Sequence, residues 1–432
     1  MTDADQSPPA ELALFGGPPA VTLDATEANR WPILTAEDEQ AVLDVMRDGD
    51  ISTHRVTRDL EDDYRQYFGV SHALSHCNGT AALLAAFFAI DLQPGDEVIV
   101  PSATWWASIS PMLWLGAVPV FAETESEQMG LDPQDVQRKI TPRTRAIVVV
   151  HLWGMPSRMA ELLELARRHD LRVIEDASHA HGARWQGRLC GTLGDVGVFS
   201  LQGAKLAPAG EGGILLTGDA QLHERAALLG DVVRVYELPG PARRFAATGF
   251  GMKTRMSPLN AAIARVQLRH LDERNARRCA NIRHLSAALE PLGFDTFRGP
   301  PDVERVYFEF LIRADPQRTG LPIPRLIEAL VAEGCAVRHP RYPLVHEQPF
   351  FTEGACARIA RLPPHLAFPQ YRADDLPQTR AANALLISLP SFPSASRELL
   401  DQYALAFRKV SKARARLEPA MHHGKRPHET SA

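Results

Sequence analysis

The sequence predicts an α/β fold: a large unit with a mostly parallel central sheet, and a smaller α+β unit after it. Three observations carry this. Short apolar runs recur between residues 97 and 217, several without a polar interruption, as strands covered on both faces require. Helical patterns separate most of them, which is the alternation of a parallel sheet with crossover helices. From Leu259 the pattern changes to one long helical stretch and then to mixed strands and helices.

Residues 1–34 carry Pro8-Pro9, Gly16-Gly17-Pro18-Pro19 and Trp31-Pro32, too many breakers for long regular structure, and are expected to form an N-terminal arm. Thr35 is a plausible N-cap, with Glu37, Asp38 and Glu39 at the positive end of the following helix dipole. The large unit is expected over 35–275. Its strands are EVIVP (97–101), VPVFA (118–122), RAIVVVHL (145–152), LRVIED (171–176), VGVFSL (196–201) and GILLT (213–217). Helices are expected at 79–91, 104–115, 132–140 and 158–169. Residues 259–289, with no internal Gly or Pro, read as one connecting helix. The smaller unit spans 276–413, and 414–432 read as a frayed tail.

Composition narrows the function. The 432 residues hold 47 Lys+Arg against 52 Asp+Glu, a net charge of -5, which leaves no electrostatic footprint for nucleic acid or an anionic membrane and points to a small-molecule partner. Five scattered cysteines (77, 190, 279, 335, 356) form no CxxC pair and are expected to be reduced thiols. The longest apolar run, AALLAAFFAI at 81–90, is well short of the ~20 residues of a membrane span. The acidic MTDADQSPPAE start lacks a secretory pattern, so a cytoplasmic location is expected. The basic charge is nearly all arginine: lysine occurs only at 139, 205, 253, 409, 412 and 425.

Ligands of α/β sheets bind at the carboxyl ends of strands, and four constellations lie at such places. His76-Cys77-Asn78-Gly79-Thr80 opens an apolar helix, a seat for phosphate on free N–H groups and the positive dipole end; Asn78 as a simple cap fits as well. Glu175-Asp176 ends LRVI and precedes His179-Ala-His181. A carboxylate there holds a cationic ring nitrogen, worth about 4 kcal/mol at ~4 Å and an effective dielectric of ~20. Helix capping by Asp176 and core or surface histidines are the plain alternative, and no third ligand stands at a zinc spacing. Ser200-Leu-Gln202-Gly-Ala-Lys205 follows VGVFS and leads into Gly210-Glu-Gly-Gly213. Of the six lysines only Lys205 follows a buried-strand pattern, where shielding lowers its pKa and lets it form a Schiff base with an aldehyde; a surface lysine after a strand is the alternative. Thr104-Trp105-Trp106 follows EVIVPSA, where a ring can stack on a flat cofactor or serve core packing. Phosphate seat, stacking ring, pyridinium partner and imine lysine together meet the requirements of pyridoxal phosphate.

These residues also carry a resemblance. With NGTAAL (78–83), PGDEVIVPSATWWAS (94–108), LGAVPVF (115–121), ITPRTRAIVVVHLWG (140–154), IEDASHAHGA (174–183), GDVGVFSLQGAK with GEGG (194–213), NAAIARVQL (260–268), RYPLVHEQPFF (341–351) and SLPSFP (388–393) in order, the chain resembles the DegT/StrS family of sugar and cyclitol aminotransferases from about Trp31 to about Val410. The resemblance implies the aspartate-aminotransferase fold (fold type I), pyridoxal 5'-phosphate as cofactor and a homodimer with shared active sites. It further implies Lys205 as the cofactor-bearing lysine, Asp176 as partner of the pyridinium nitrogen and Trp105 as the stacking ring. His179 falls near the phenolic oxygen, and Gly79, Thr80 and Ser200 fall at the phosphate. Where many members read G-x-N-x-R-M, this chain reads Gly251-Met-Lys253-Thr-Arg255-Met256; the family's Asn reaches the neighbouring subunit's phosphate, and Lys253 stands in its place as a point charge.

The implied activity is ping-pong transamination, with Lys205 moving the proton. Gln202 stands three residues before the lysine, as in members acting on keto-cyclitols, where nucleotide-sugar members often have His. The Gly-Gly-Pro-Pro lead-in and Trp31-Pro32 also resemble that branch and the 3-amino-5-hydroxybenzoate synthases. The expected acceptor is therefore a keto-cyclitol or keto-sugar of secondary metabolism, with glutamine or glutamate as donor. A nucleotide-linked keto-sugar or a synthase-like reaction is the alternative. The retained Lys205 argues against family dehydratases that carry histidine there. Arg255, Arg338 and Arg341 are unranked candidates for substrate contacts.

Overall fold

The computed structural model describes residues 11–417. Its central sheet has seven strands: β1 (His72–His76), β2 (Glu97–Pro101), β3 (Val118–Ala122), β4 (Thr144–Val150), β5 (Arg172–Asp176) and, after the two-residue β6 (Arg184–Trp185) and β7 (Arg188–Leu189), β8 (Val196–Ser200) and β9 (Gly213–Thr217). The spatial order is β1-β9-β8-β5-β4-β2-β3. The β3, β2, β4, β5 and β8 neighbours are parallel, whereas β9 runs antiparallel to both β8 and β1. Every residue of β2 and β9 is buried, which is why both are apolar apart from Glu97 and Thr217 at their ends.

β1 was not expected, because HALSH alternates too little apolar surface. Its polar residues are buried with partners: the Ser75 hydroxyl donates to Glu61 at 2.8 Å and His76 Nδ1 lies 2.9 Å from the Thr254 hydroxyl. The helix Gly79–Ala89 is apolar nearly all round and packs between the sheet and the helix Ala220–Gly230. Phe87 within it has no exposed surface, so Phe87→Ala would cost about 3–5 kcal/mol.

Two helix expectations need correction. Residues 104–115 are not one helix: Trp105 is extended, a 3₁₀ turn covers Trp106–Ser108 and a single α-turn covers Ser110–Leu113. The Thr104 and Ser108 hydroxyls bond each other at 2.9 Å, the local competition with the helix that short polar side chains favour. Residues 259–289 form two helices, Pro258–Arg269 and Leu271–Leu289, broken at His270, whose backbone sits at φ -92°, ψ 0°. His270 and Arg269 both bind Glu37, an anchor outside the segment's own periodicity.

The helix Leu271–Leu289 runs through the expected boundary at 275/276. Leu271 belongs to a core on one face of the sheet, whereas Ile282, Leu285 and Leu289 belong to a separate core with β11 (Phe310–Arg313), β12 (Leu386–Leu389) and the helices Ile323–Ala332 and Arg397–Lys412; the remaining strand, β10 (Val303–Glu304), pairs with β6. That second core also takes in Leu12 and Val21 of the arm. Buried Glu333 fastens the arm by accepting from the N–H groups of Ala13 (2.8 Å) and Ala20 (2.9 Å) while pairing with Lys409 at 2.9 Å. At the other end, Arg414–Leu417 form a helical turn with Leu417 buried, so the frayed tail does not begin at 414; residues 418–432 lie outside the described residues.

Candidate active site

The carboxyl ends of β1, β2, β4, β5 and β8 open on a cavity of about 400 Å³. Asn78, Gly79, Thr80, Trp105, Asp176, His179, Ser200, Gln202 and Lys205 all line it. Asn78 does cap its helix, its side chain accepting from Ala81 N–H at 2.8 Å. Helix geometry leaves the N–H groups of Gly79 and Thr80 without intrahelical partners at the cavity wall. A Cβ on Gly79 would lie 2.8 Å from Ser200 Cβ, so glycine is what lets the helix start approach the Ser200 hydroxyl. Gly213 serves the same junction: a Cβ there would lie 2.4 Å from the Asn78 carbonyl oxygen.

Asp176 is 6% exposed. Its Oδ2 accepts from the Ser108 hydroxyl at 2.6 Å and its Oδ1 from Ser178 N–H at 3.1 Å, bonds that fix the orientation of the carboxyl group. Neighbouring Glu175 points to the other side of the strand, where it accepts from the N–H groups of Gly191, Leu193 and Gly194 and from His151. Alternation along β5 therefore gives the consecutive acids separate tasks.

Lys205 is 9% exposed. Its Nζ lies 4.6 Å from the Phe308 ring centroid. Burial lowers its pKa to about 8; Asp176 opposes that shift and Arg341 adds to it. A substantial fraction of the amine is thus neutral near physiological pH.

The two histidines of His179-Ala-His181 divide. His179 lies parallel to Phe308 (4.1 Å between centroids) and Trp153 (5.5 Å), and its Nδ1 accepts from Trp153 N–H at 3.3 Å. Burial, then the charges of Lys205 and Arg341, push its pKa well down. The ring is therefore neutral with its proton on Nε2, a donor beside the Tyr342 hydroxyl at 3.4 Å. His181 is a core side chain against Phe199 and Tyr64, its pKa lowered to about 3 by burial. Among the described residues no group of three His, Cys, Asp or Glu side chains is disposed to hold a metal ion.

Trp105 is half-exposed, contacting Tyr342 at 5.4 Å. The Gln202 carboxamide oxygen is taken by Ala204 N–H at 2.9 Å. Lys253 is exposed and does not line this cavity; its neighbour Thr254 instead accepts from Cys77 N–H at 2.6 Å. Of the three unranked arginines only Arg341 lines the cavity; Arg338 sits in an adjoining cleft, and Arg255 bonds Ser52. Arg338 and Arg341 share buried Glu309, at 2.9 and 2.7 Å. Sequence reasoning missed Ser108, Trp153, Phe308 and Tyr342 as parts of the site. Trp153 and Tyr342 lie inside motifs already noted (HLWG and RYPLVHEQPFF), whereas nothing in VYFEFLI marks Phe308 apart from a core position.

A helix start with free N–H groups for phosphate, a buried carboxylate, a ring donor and a lysine of lowered pKa fit pyridoxal 5'-phosphate, and the Gly79–Ser200 approach is a cradle that any side chain at 79 would fill. Comparison with known proteins identifies the family. The sequence profile of the DegT/DnrJ/EryC1/StrS aminotransferase family matches residues 32–407. The chain is 36% identical over 417 residues to the L-glutamine:scyllo-inosose aminotransferase of Streptomyces griseus, covering 93% of this chain and 97% of that protein. It is 35% identical to the L-glutamine:2-deoxy-scyllo-inosose aminotransferase of Streptomyces kanamyceticus over 78% of this chain and 82% of the other. Among solved structures, S. venezuelae DesV in complex with a ketimine intermediate superposes with a TM-score of 0.74 at 32% identity, covering 91% of this chain and 100% of that one. A 3-amino-5-hydroxybenzoic acid synthase superposes with a TM-score of 0.75 at 27% identity, covering 90% and 98%. With this fold, fold type I, and these matches, the chain belongs to the DegT/DnrJ/EryC1/StrS aminotransferase family.

Proposed function

We propose that this aminotransferase uses pyridoxal 5'-phosphate to move the amino group of L-glutamine or glutamate to a keto-cyclitol in antibiotic biosynthesis, acting as a homodimer. The observation that carries the reading is one cavity holding a buried amine, Lys205, whose pKa is lowered to about 8, beside buried Asp176 and the Gly79–Thr80 helix start. When bound, the cofactor supplies an electrophilic aldehyde and a cationic ring that withdraws electrons from a carbon attached through nitrogen.

The chain's own residues supply the rest. The Gly79 and Thr80 N–H groups and the Ser200 hydroxyl would bind the phosphate. Asp176, its second oxygen fixed by Ser108, would hold the proton on the ring nitrogen. The Nε2–H of His179 would donate to the phenolic oxygen, and Trp105 would cover the ring. Lys205 Nζ, neutral in part, would take the proton from the donor's α-carbon and deliver it to the carbon on the far side of the intervening nitrogen. Lys253, exposed on its own chain, is assigned to the partner's phosphate. Gln202 in place of histidine, together with the relatives' substrates, favours a free cyclitol over a nucleotide-linked sugar.

The test is incubation of the holoenzyme with ¹⁵N-glutamine and either scyllo-inosose-type ketones or nucleotide-linked keto-sugars. Label should pass to the cyclitol; transfer only to the nucleotide-linked sugar would overturn the acceptor, and no cofactor conversion with any common donor would overturn the transaminase reading. Lys205→Ala should lower turnover by about 10⁴-fold, the upper range for a lost acid–base group, and abolish borohydride fixation of the cofactor.

A further inference from the structure

The loop that carries Lys205 is held from outside the sheet. The indole N–H of Trp31, in the N-terminal arm, donates to the main-chain carbonyl of Lys205 at 2.9 Å. The remaining main-chain tie of that residue is its own N–H to the Gln202 carbonyl at 2.7 Å, inside the same loop. Trp31 is therefore the link between the lysine's backbone and a distant element.

The indole is itself clamped. The guanidinium of Arg278, on the helix Leu271–Leu289, lies 3.9 Å from the Trp31 ring centroid, and that of Arg274 lies 5.6 Å away. Arg274 also donates to the Ile33 carbonyl at 3.0 Å, as does Gln267 at 3.2 Å, so the segment 31–33 is pinned at several points. Arg278 is 1% exposed, yet its Nε and Nη1 have no hydrogen-bond partner. Burying an unpaired cation is costly, and a tenant chosen for stability alone would be apolar. What Arg278 does make is a face-on contact with an aromatic ring, strongest where water is excluded.

We propose that Trp31 is a positioning residue for Lys205, fixing through the carbonyl of residue 205 the path its side chain takes into the cavity, and that Arg278 holds the indole for this task. The inference rests on the reading of Lys205 as the cofactor-bearing lysine. It does not require Trp31 to touch substrate.

Trp31→Phe keeps the ring and removes the donor, and Arg278→Met removes the stacked cation. In Trp31→Phe, borohydride should still fix the cofactor to Lys205, while the single-turnover rate with glutamine falls about tenfold, the scale of one lost hydrogen bond, at unchanged KM for the donor. In the cofactor-free protein, the pH midpoint for acylation of Lys205 should rise from about 8 toward the ordinary lysine range as the loop admits water. Arg278→Met should slow turnover about threefold while leaving Tm equal or higher, since a buried unpaired charge is gone. The rate then falls with no loss of stability, which a merely structural role does not produce. A wild-type rate and midpoint in Trp31→Phe, or slowing in Arg278→Met only in proportion to lost Tm, would overturn the proposal. If Trp31→Phe does not fold, Arg278→Met decides by the same criterion. Absence of borohydride fixation at Lys205 in the wild type would overturn the underlying reading instead.

Discussion

The two walls of the cavity are built by different means. One consists of residues that directly follow strands: the 78–80 turn after β1, Trp105 after β2, Asp176 to His179 from the end of β5, and Ser200 to Lys205 from the end of β8. The other, Phe308, Arg341 and Tyr342, comes from chain beyond residue 300 that reaches the site by docking. Val306 N–H donates to the Gly154 carbonyl at 3.0 Å, Phe308 N–H to the Trp153 carbonyl at 3.3 Å, and Val345 N–H to the Ser102 carbonyl at 3.0 Å. The strand-end wall holds the groups that would bind and activate the cofactor. The docked wall tunes them: Phe308 stacks on His179, and Arg341 lowers the pKa of Lys205.

If that division is right, substitutions on the first wall should abolish chemistry and those on the second should modulate it. Asp176→Asn keeps the shape and can keep the acceptor for Ser178 N–H, turning its NH2 towards the Ser108 oxygen, but removes the buried negative charge. An interaction of about 4 kcal/mol at an effective dielectric of ~20 corresponds to about 10³-fold in kcat. Stopped-flow measurement of the donor half-reaction reads this directly, and a loss under tenfold would mean that Asp176 does not face the ring nitrogen.

The division also explains what was legible. Strand-end residues could be found because a parallel α/β sheet fixes where ligands bind, and because lysine is so scarce that context alone isolated Lys205. The six expected strands all occur in the sheet, within two residues of their expected ends. β1 was hidden because its buried polar residues are satisfied by Glu61 and Thr254, partners that no local pattern reveals. On the docked wall Arg341 was a candidate, but Phe308 was hidden for the same reason as β1: it looks like any core phenylalanine until the chain folds back over His179. Trp153 was hidden differently. It occupies φ 57°, ψ 13°, a left-handed conformation costly for a tryptophan, and that turn is what aims its N–H at His179. The residue pattern alone did not tell His179 from His181, since both are buried and tertiary packing decides which faces the cavity; only the resemblance singled out His179.

On the docked wall, Arg341→Met should be the larger of two effects. Removing a cation that disfavours ammonium beside it raises the pKa of Lys205, so the acylation midpoint of the cofactor-free protein should climb above about 8, by up to about one unit. Each unit lowers the neutral fraction about tenfold at pH below the midpoint, so the rate near pH 7 should fall by up to about tenfold and recover as pH rises. An unchanged midpoint would show that Glu309, which Arg341 shares with Arg338, already screens the guanidinium from the lysine.

Tyr342→Phe should be the smallest. The hydroxyl lies 3.4 Å from His179 Nε2, beyond a good hydrogen bond, and His179 is already oriented by Trp153 N–H on Nδ1 and by the parallel rings of Phe308 and Trp153. The Tyr342 ring, stacked on Trp153 at 4.9 Å and touching Trp105, stays in place in the phenylalanine variant. Only a marginal contact is lost while the Trp153 N–H and the Phe308 and Trp153 rings still hold His179, so kcat should fall about two- to threefold with the pH profile unmoved. A loss beyond about tenfold would break the comparison, because the docked wall would then carry a group that acts on the reacting atoms. Tyr342→Ala separates the cases: if the ring matters and the hydroxyl does not, the alanine variant is much slower than the phenylalanine one, and if the hydroxyl acts directly the two are slowed alike.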